Sequence, residues 1–135
     1  MEQNILRSVK QSVGISPDDP SFDIEIINAV NAEFSILNDL GVGPSIGFVI
    51  EDDTVDWSEF LDVEDDEEKK IWLSKVKMAV NLRTRLLFDP PKESVLMNSI
   101  QSQLAEQEWR LSVNREAIDW TDPNPPVAVD GGESE

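Results

Sequence analysis

Residues Glu67 to Pro91 read EEKKIWLSKVKMAVNLRTRLLFDPP, and this stretch decides the fold. Its apolar residues recur at spacings of three and four, as they do on one face of a helix. The stripe consists of Leu73, Val76, Val80 and Leu87, widened by Trp72, Ala79, Leu82 and Leu86. So broad a surface predicts a helix with neighbours on two sides. Because proline lacks an N–H and restricts the residue before it, Asp89-Pro90-Pro91 should end this helix at Phe88.

The same spacing predicts helices on either side of this stretch. A short helix carries Ile5, Val9 and Val13 and should end at Gly14. A second helix should begin after Ser21, whose side chain suits the N-cap position, and end where Gly41 can adopt a left-handed cap.

A last helix should run from near Glu93 to about Ile118. Its apolar face consists of Leu96, Ile100, Leu104 and Leu111, with Val95, Met97 and Trp109 beside it. The predicted fold class is therefore mainly α, a small four-helix bundle. Trp57, Trp72 and Trp109 should serve core or interface packing.

Two segments do not follow the helical pattern. Between the second and third helices, residues 48–57 fit a small hairpin or an irregular loop equally well, and an exposed, mobile, acidic connector should follow over 61–68. Residues 119–135 contain three prolines and two glycines and no periodic apolar face, so they should form an extended arm. The predicted domains are a helical domain, 1–118, and this arm.

Length and composition restrict the chemistry. A chain of 135 residues and 15.2 kDa is expected to form one core. It has neither Cys nor His, which removes thiolate sites and the commonest general base, so we expect no enzyme. No apolar run is long enough for a bilayer, which predicts a soluble protein kept inside cells.

Metal and nucleotide sites are weakly supported. The acidic window 52–64 lacks the glycine of an EF-hand loop, and its carboxylate pairs fit a solvated surface better than a cation site or a glycosidase pair. The glycines at 41, 43 and 47 are not followed by the Lys and Ser/Thr of a phosphate loop. We therefore expect no metal and no cofactor.

The net charge of −17 is divided unevenly along the chain. Residues 1–10 carry +1, whereas residues 11–68 contain seventeen carboxylates and no Lys or Arg. Residues 69–115 carry +5, and residues 116–135 carry −6. A surface of this kind should repel DNA. Either the charges only keep the chain soluble, or oppositely charged segments pair between copies in a head-to-tail contact.

Candidate contact residues follow from this charge map. Helix arginines can form ordinary salt bridges within the chain or meet carboxylates of a neighbouring copy. The candidates are Arg83, Arg85, Arg110 and Arg115 on one side and Asp65, Asp66, Glu67 and Glu68 on the other. In the arm, Trp120 and the stretch Pro125-Pro126-Val127 are apolar anchors that suit partner docking, against the alternative of a plain disordered terminus.

Three sequence motifs occur in a characteristic order along the predicted helices. They are Leu40-Gly41-Val42-Gly43-Pro44, Arg85-Leu86-Leu87-Phe88-Asp89-Pro90-Pro91 and Glu108-Trp109-Arg110-Leu111. With the helix order, they resemble the head-tail connector (adaptor) proteins of long-tailed bacteriophages over roughly residues 2–118.

The resemblance implies a non-enzymatic helical protein of the virion neck, assembled in the host cytoplasm. Such proteins form a ring, twelvefold in the virion, between the portal protein and a tail-side stopper or tail-completion protein, with no membrane involved. The ring extends the channel through which genomic DNA passes without sequence-specific binding. The C-terminal arm would grip the portal, which assigns that role to Trp120, Pro123, Pro125, Pro126 and Val127.

A different class of function fits the charge alone. An acidic inhibitor or DNA mimic would occupy the basic groove of a host nucleic-acid-binding protein, and a net charge of −17 suits that role. Such a mimic should remain a monomer or dimer, whereas a connector should bind a portal ring.

Overall fold

The computed structural model describes residues 3–113, and this range contains five helices and no strand. They are α1 (Ile5–Ser12), α2 (Asp23–Asp39), α3 (Trp57–Phe60), α4 (Glu67–Phe88) and α5 (Ser94–Val113). Helix α4 packs against both α2 and α5, and α1 lies against α2 and α4. The prediction of a small, mainly α bundle is confirmed, and α4 has the several neighbours that its broad stripe indicated.

The core is one apolar cluster in which α4 is the central element. Its buried side chains on α4 are Trp72, Leu73, Val76, Ala79 and Val80. On α5 the predicted face is largely correct, because Ile100, Leu104 and Leu111 are buried. The ends of the predicted stripes differ, because Leu87 near the end of α4 and Leu96 near the start of α5 are exposed.

Glycine ends both N-terminal helices in the same way. Gly14 follows α1 with a φ of +84°, and Gly41 follows α2 with a φ of +80°. After α2, the N–H of Gly41 donates to the carbonyl of Asn38 and that of Val42 donates to the carbonyl of Leu37. These two bonds define a Schellman cap, which satisfies carbonyls at the end of the helix. The predicted caps at Gly14 and Gly41 are confirmed.

The predicted start of α2 is wrong by one residue. The helix begins at Asp23 with Phe22 at the N-cap position, not Ser21. The Asp23 N–H donates to the carbonyl of Pro20, and the Ser21 N–H donates to the Asp19 carboxylate at 3.0 Å. Ser21 is thus part of a turn before the helix. Lys10 joins α1 to this region, since its buried ammonium donates to Asp23 at 2.7 Å and to the carbonyl of Pro17 at 3.0 Å.

The segment between α2 and α4 is an irregular loop that contains the single-turn helix α3. The N–H of Asp56 donates to the Glu59 carboxylate at 3.1 Å and thereby stabilises the first turn of α3. Leu61 departs from its predicted place in an exposed connector, because it is 8% exposed and belongs to the core. The carboxylates of 64–68 are exposed as predicted, and Asp66 caps α4 by accepting from the Lys69 N–H.

Aromatic rings attach this loop to α2. Phe34 of α2 has ring-centroid distances of 5.0 Å to Phe48, 5.2 Å to Phe60 and 6.2 Å to Trp57. The Trp57 indole also donates to Ser8 of α1 at 2.9 Å. Aromatic pairs at such distances add to the stabilisation from apolar burial. The loop is therefore packed on the bundle despite its lack of regular structure.

Gly43 and Gly47 allow a matched test of how tightly the loop packs. Both have positive φ, +103° and +91°. A Cβ on Gly43 would lie 3.1 Å from the Phe60 ring, whereas no atom of residues 3–113 lies within 4 Å of a Cβ on Gly47. Gly47→Ala should cost about 1–2 kcal/mol of unfolding free energy through its backbone alone, and Gly43→Ala about 1 kcal/mol more. Urea denaturation measures both, and equal losses would contradict close packing against Phe60.

The end of the predicted fourth helix and the predicted C-terminal arm lie outside the described residues. Within the described range, α5 begins at Ser94, one residue after the predicted start. The division into a helical domain and an arm stays a prediction.

Candidate functional site

An ion-pair junction joins the three long helices. Arg83 of α4 donates from Nε to Glu33 Oε1 of α2 at 3.0 Å, and from Nη2 to Glu108 Oε2 of α5 at 3.3 Å. Glu33 is completely buried, while the side chains of Arg83 and Glu108 are 24% and 18% exposed. One guanidinium therefore holds carboxylates from two other helices.

Burial raises the pKa of the Glu33 carboxyl from 4.5 to about 8, and a hydrogen bond with Glu108 contributes in the same direction. The hydrogen bond from Arg83 lowers this pKa but does not offset the burial. At neutral pH the Glu33 side chain is therefore mostly protonated. In that form it can donate to Glu108 as well as accept from Arg83.

The unfolding free energy should consequently depend on the protonation of Glu33. The folded chain keeps this proton up to about pH 8, and the unfolded chain only up to about pH 4.3. Stability should fall as the pH rises between these values, by up to about 1.4 kcal/mol per pH unit. Glu33→Gln preserves the polar contacts and does not ionise, so its urea midpoint should fall less steeply with pH. Parallel profiles of the two proteins would contradict this assignment.

A groove runs along the outer side of α4, beside the end of α1, and has a volume of about 530 Å³. The residues that line this α4 groove are Ser12, Ser74, Lys77, Met78, Asn81, Leu82 and Arg85. Two cations flank its apolar floor, and none of these described lining residues is acidic. Met78 is 47% exposed, and Lys77 lies 5.6 Å from the centroid of the Trp57 ring. In a chain of strongly negative charge, the α4 groove is a basic and partly apolar surface.

Three exposed apolar side chains lie on the outer side of α5. Val95, Trp109 and Val113 are separated by intervals of 14 and 4 residues, which places them on one side of the helix, away from buried Leu104. They are 80%, 64% and 52% exposed. The sequence placed Trp109 in core or interface packing, and the structure excludes the core of the single subunit. Trp109 and Val113 are one turn apart and form a small exposed apolar patch, whereas Val95 lies about 21 Å away along the helix, beyond Ser99, Ser102 and Glu106.

The loop before α3 combines exposed apolar and acidic side chains. Ile46 and Val49 are 62% and 63% exposed, and Glu51, Asp52 and Asp53 follow them at the surface. We call residues 44–56 the acidic loop. Hydrogen bonds from Thr54 lower the pKa of the Asp52 carboxyl, which keeps it charged.

Asn31 of α2 fixes the middle of the acidic loop. Its side-chain amide donates to the carbonyl of Ile50 at 2.9 Å, and its side-chain oxygen accepts from the Ile50 N–H at 2.8 Å. Ile50 itself is buried, so its neighbour Val49 is directed outward. The loop thus presents its exposed side chains from a fixed backbone.

The predicted contact residues have separate environments. Arg83 lies in the junction, Arg85 lines the α4 groove, and Arg110 forms a salt bridge with Glu106 on α5. Residues 65–68 are exposed at the start of α4, where Glu67 pairs with Lys70 at 3.0 Å. Arg115, Trp120, Pro123, Pro125, Pro126 and Val127 lie outside the described residues. Contacts of all these residues with other chains stay predictions.

Sequence reasoning missed Glu33. A signal was present, because Glu33 follows Ile26 by seven residues and precedes Leu37 by four, which places a carboxylate on the apolar face of α2. A buried carboxylate requires a partner. A cation on a neighbouring core-facing helix was therefore to be expected.

Within residues 3–113, no group of His, Cys, Asp and Glu is arranged to hold a metal ion. None of the described helices has the length and hydropathy to cross a bilayer. The described part of the chain offers three surfaces, namely a basic groove on α4, a small apolar patch near the end of α5 and the acidic loop. Fold and surface together define a small helical protein of the class that binds other proteins in an assembly.

Comparison with protein families shows which assembly this is. The chain belongs to the phage connector protein family, whose model matches residues 5–117. Searches of curated proteins and of solved structures found no match. The family is structural, and the chain is a structural connector of a bacteriophage.

Proposed function

We propose that the chain forms a ring at the portal vertex of a phage, where it connects the head to the tail machinery and extends the DNA channel. The observation that carries this proposal is the family match over residues 5–117. It is supported by apolar side chains that α4 and α5 expose, among them Met78 and Trp109, which an interface between subunits would cover. The ring has about twelve copies and lies in the virion neck, between the portal protein and a tail-side stopper or completion protein.

The charge map suits such a channel. Twelve copies at −17 each would hold on the order of 200 negative charges, and carboxylates that line a channel repel phosphates. DNA would therefore pass without being retained or read. Because like charges oppose ring closure, the interfaces between copies must bring basic side chains against acidic ones, beside apolar burial.

Light scattering coupled to size-exclusion chromatography, with and without the portal protein of the same phage, tests this function. We expect a complex of high cyclic symmetry with the portal, even where the free chain is monomeric. A chain that ignores the portal but binds basic nucleic-acid-binding proteins as a monomer or dimer, in a salt-sensitive way, would instead be the acidic mimic.

The arm can be tested separately. Deleting residues 119–135 should leave the helical circular dichroism nearly unchanged and weaken binding to the portal, because the arm is proposed to grip that partner through Trp120, Pro125 and Val127. The full-length chain serves as the control. Loss of the fold on deletion would show that these residues belong to the core, and unchanged portal binding would remove the arm from the interface.

A further inference from the structure

The α4 groove has the chemistry to receive an acidic, partly apolar segment. Lys77 and Arg85 supply positive charge, and Met78 and Leu82 supply apolar contact area. A surface of this composition is complementary to a segment that combines carboxylates with apolar side chains.

The acidic loop has the matching composition. Ile46 and Val49 supply exposed apolar side chains, and Glu51, Asp52 and Asp53 supply adjacent negative charge. The loop also reaches outward from a fixed backbone, since Asn31 holds Ile50 by two hydrogen bonds. It therefore needs no rearrangement to enter a groove on another molecule.

The α4 groove and the acidic loop are two different surfaces of the subunit. On α4, Arg83 is directed toward Glu33, and Arg85 is two residues away, or about 200° around the helix. On α2, Glu33 is directed toward Arg83, and Asn31 is likewise two residues away. A contact that joins two different surfaces of neighbouring copies is head-to-tail, and repetition of it closes a ring when the rotation allows.

We propose that the α4 groove of one copy receives residues 46–53 of the next copy, with Val49 near Met78 and Asp52 near Arg85. This inference rests on the proposed ring and names the interface that forms it. The segment that fills the α4 groove therefore comes from a second copy, and not from the arm or the portal.

Engineered cysteines test the contact directly, because the chain has no Cys of its own. Val49→Cys and Met78→Cys copies are mixed, assembled on the portal and mildly oxidised. We expect a disulfide-linked pair that contains one copy of each kind, and a ladder of higher species when a single chain carries both substitutions. Val95→Cys in place of Met78→Cys is the control, since this α5 side chain is 80% exposed yet lies outside the groove. Cross-linking at the control level would count against the contact.

If the cysteine geometry is unsuitable for a disulfide, exchanging the charges of Arg85 and Asp52 tests the same contact. Arg85→Asp and Asp52→Arg should each weaken assembly about tenfold or more, and the double variant should recover most of that loss. Both residues are exposed, so circular dichroism should show intact folds. No recovery in the double variant overturns the proposal, as does a cross-link from Met78→Cys to Val127→Cys of the arm. If the variants fail this test while the natural chain still assembles on the portal, the ring stands without this interface; if the natural chain does not assemble, both proposals fall.

Discussion

Replacing Arg83 with methionine should lower the unfolding free energy by about 2–3 kcal/mol, because Glu33 and Glu108 lose the hydrogen bonds that the guanidinium donates to them. The loss should be largest near pH 8 and smaller near pH 5, where Glu33 holds its proton. Urea denaturation at these two pH values measures the effect. Methionine replaces the aliphatic part of the arginine side chain with a similar unbranched one, so lost apolar packing contributes little to the change.

Two variants separate the junction from other roles of arginine. Arg85→Met, on the exposed side of the same helix, should change the unfolding free energy by less than about 0.5 kcal/mol. Arg83→Met combined with Glu33→Leu should recover part of the loss, since a buried ion pair is often replaceable by apolar side chains. If Arg83 served only contacts between subunits, which was one of the two alternatives that the sequence left open, the isolated chain would unfold with unchanged free energy.

Replacing Phe34 with alanine should lower the unfolding free energy by about 3–5 kcal/mol. Phe34 is 2% exposed and contacts the rings of Phe48, Trp57 and Phe60, so its removal leaves a cavity where α2, the acidic loop and α3 meet. Urea denaturation followed by Trp fluorescence and by circular dichroism measures this loss, and agreement of the two probes confirms a single transition.

Phe22→Ala is the matched control for Phe34→Ala. Phe22 also makes one edge contact, 5.4 Å from Phe88, but it is 42% exposed. We therefore expect a loss of about 1 kcal/mol or less. Equal losses of unfolding free energy in the two variants would show that the rings packed around Phe34 do not attach the loop to the bundle.

The regular helices were predictable because local periodicity specifies them. The helical spacing of Leu73, Val76 and Val80 predicted α4, and Pro90-Pro91 predicted where it ends. The structure has α4 at the predicted bounds, and Gly41 marks the end of α2 as predicted. The start of α2 was not fixed locally, because the turn over 20–23 competes with capping by Ser21.

The loop and the surfaces required tertiary information. The single turn of α3 carries a local signal in Asp56 and Glu59, but its stability comes from burial of Trp57 and Phe60 against distant residues. Likewise, spacing alone places Trp109 near the apolar face of α5 and does not show whether another helix covers it. Arg83 and Arg85 are alike in sequence, and only the position of Glu33 on a different helix separates a junction residue from a groove residue.

The paired hydrogen bonds between Asn31 and Ile50 have a consequence for the speed of assembly. Ordering a residue costs about 1–2 kcal/mol of backbone entropy. In this protein the loop is ordered when the subunit folds, so this entropy is not lost again when subunits associate. A neighbour therefore encounters a preorganised segment, so that collision and orientation, rather than a coil-to-order transition, limit the rate at which subunits add.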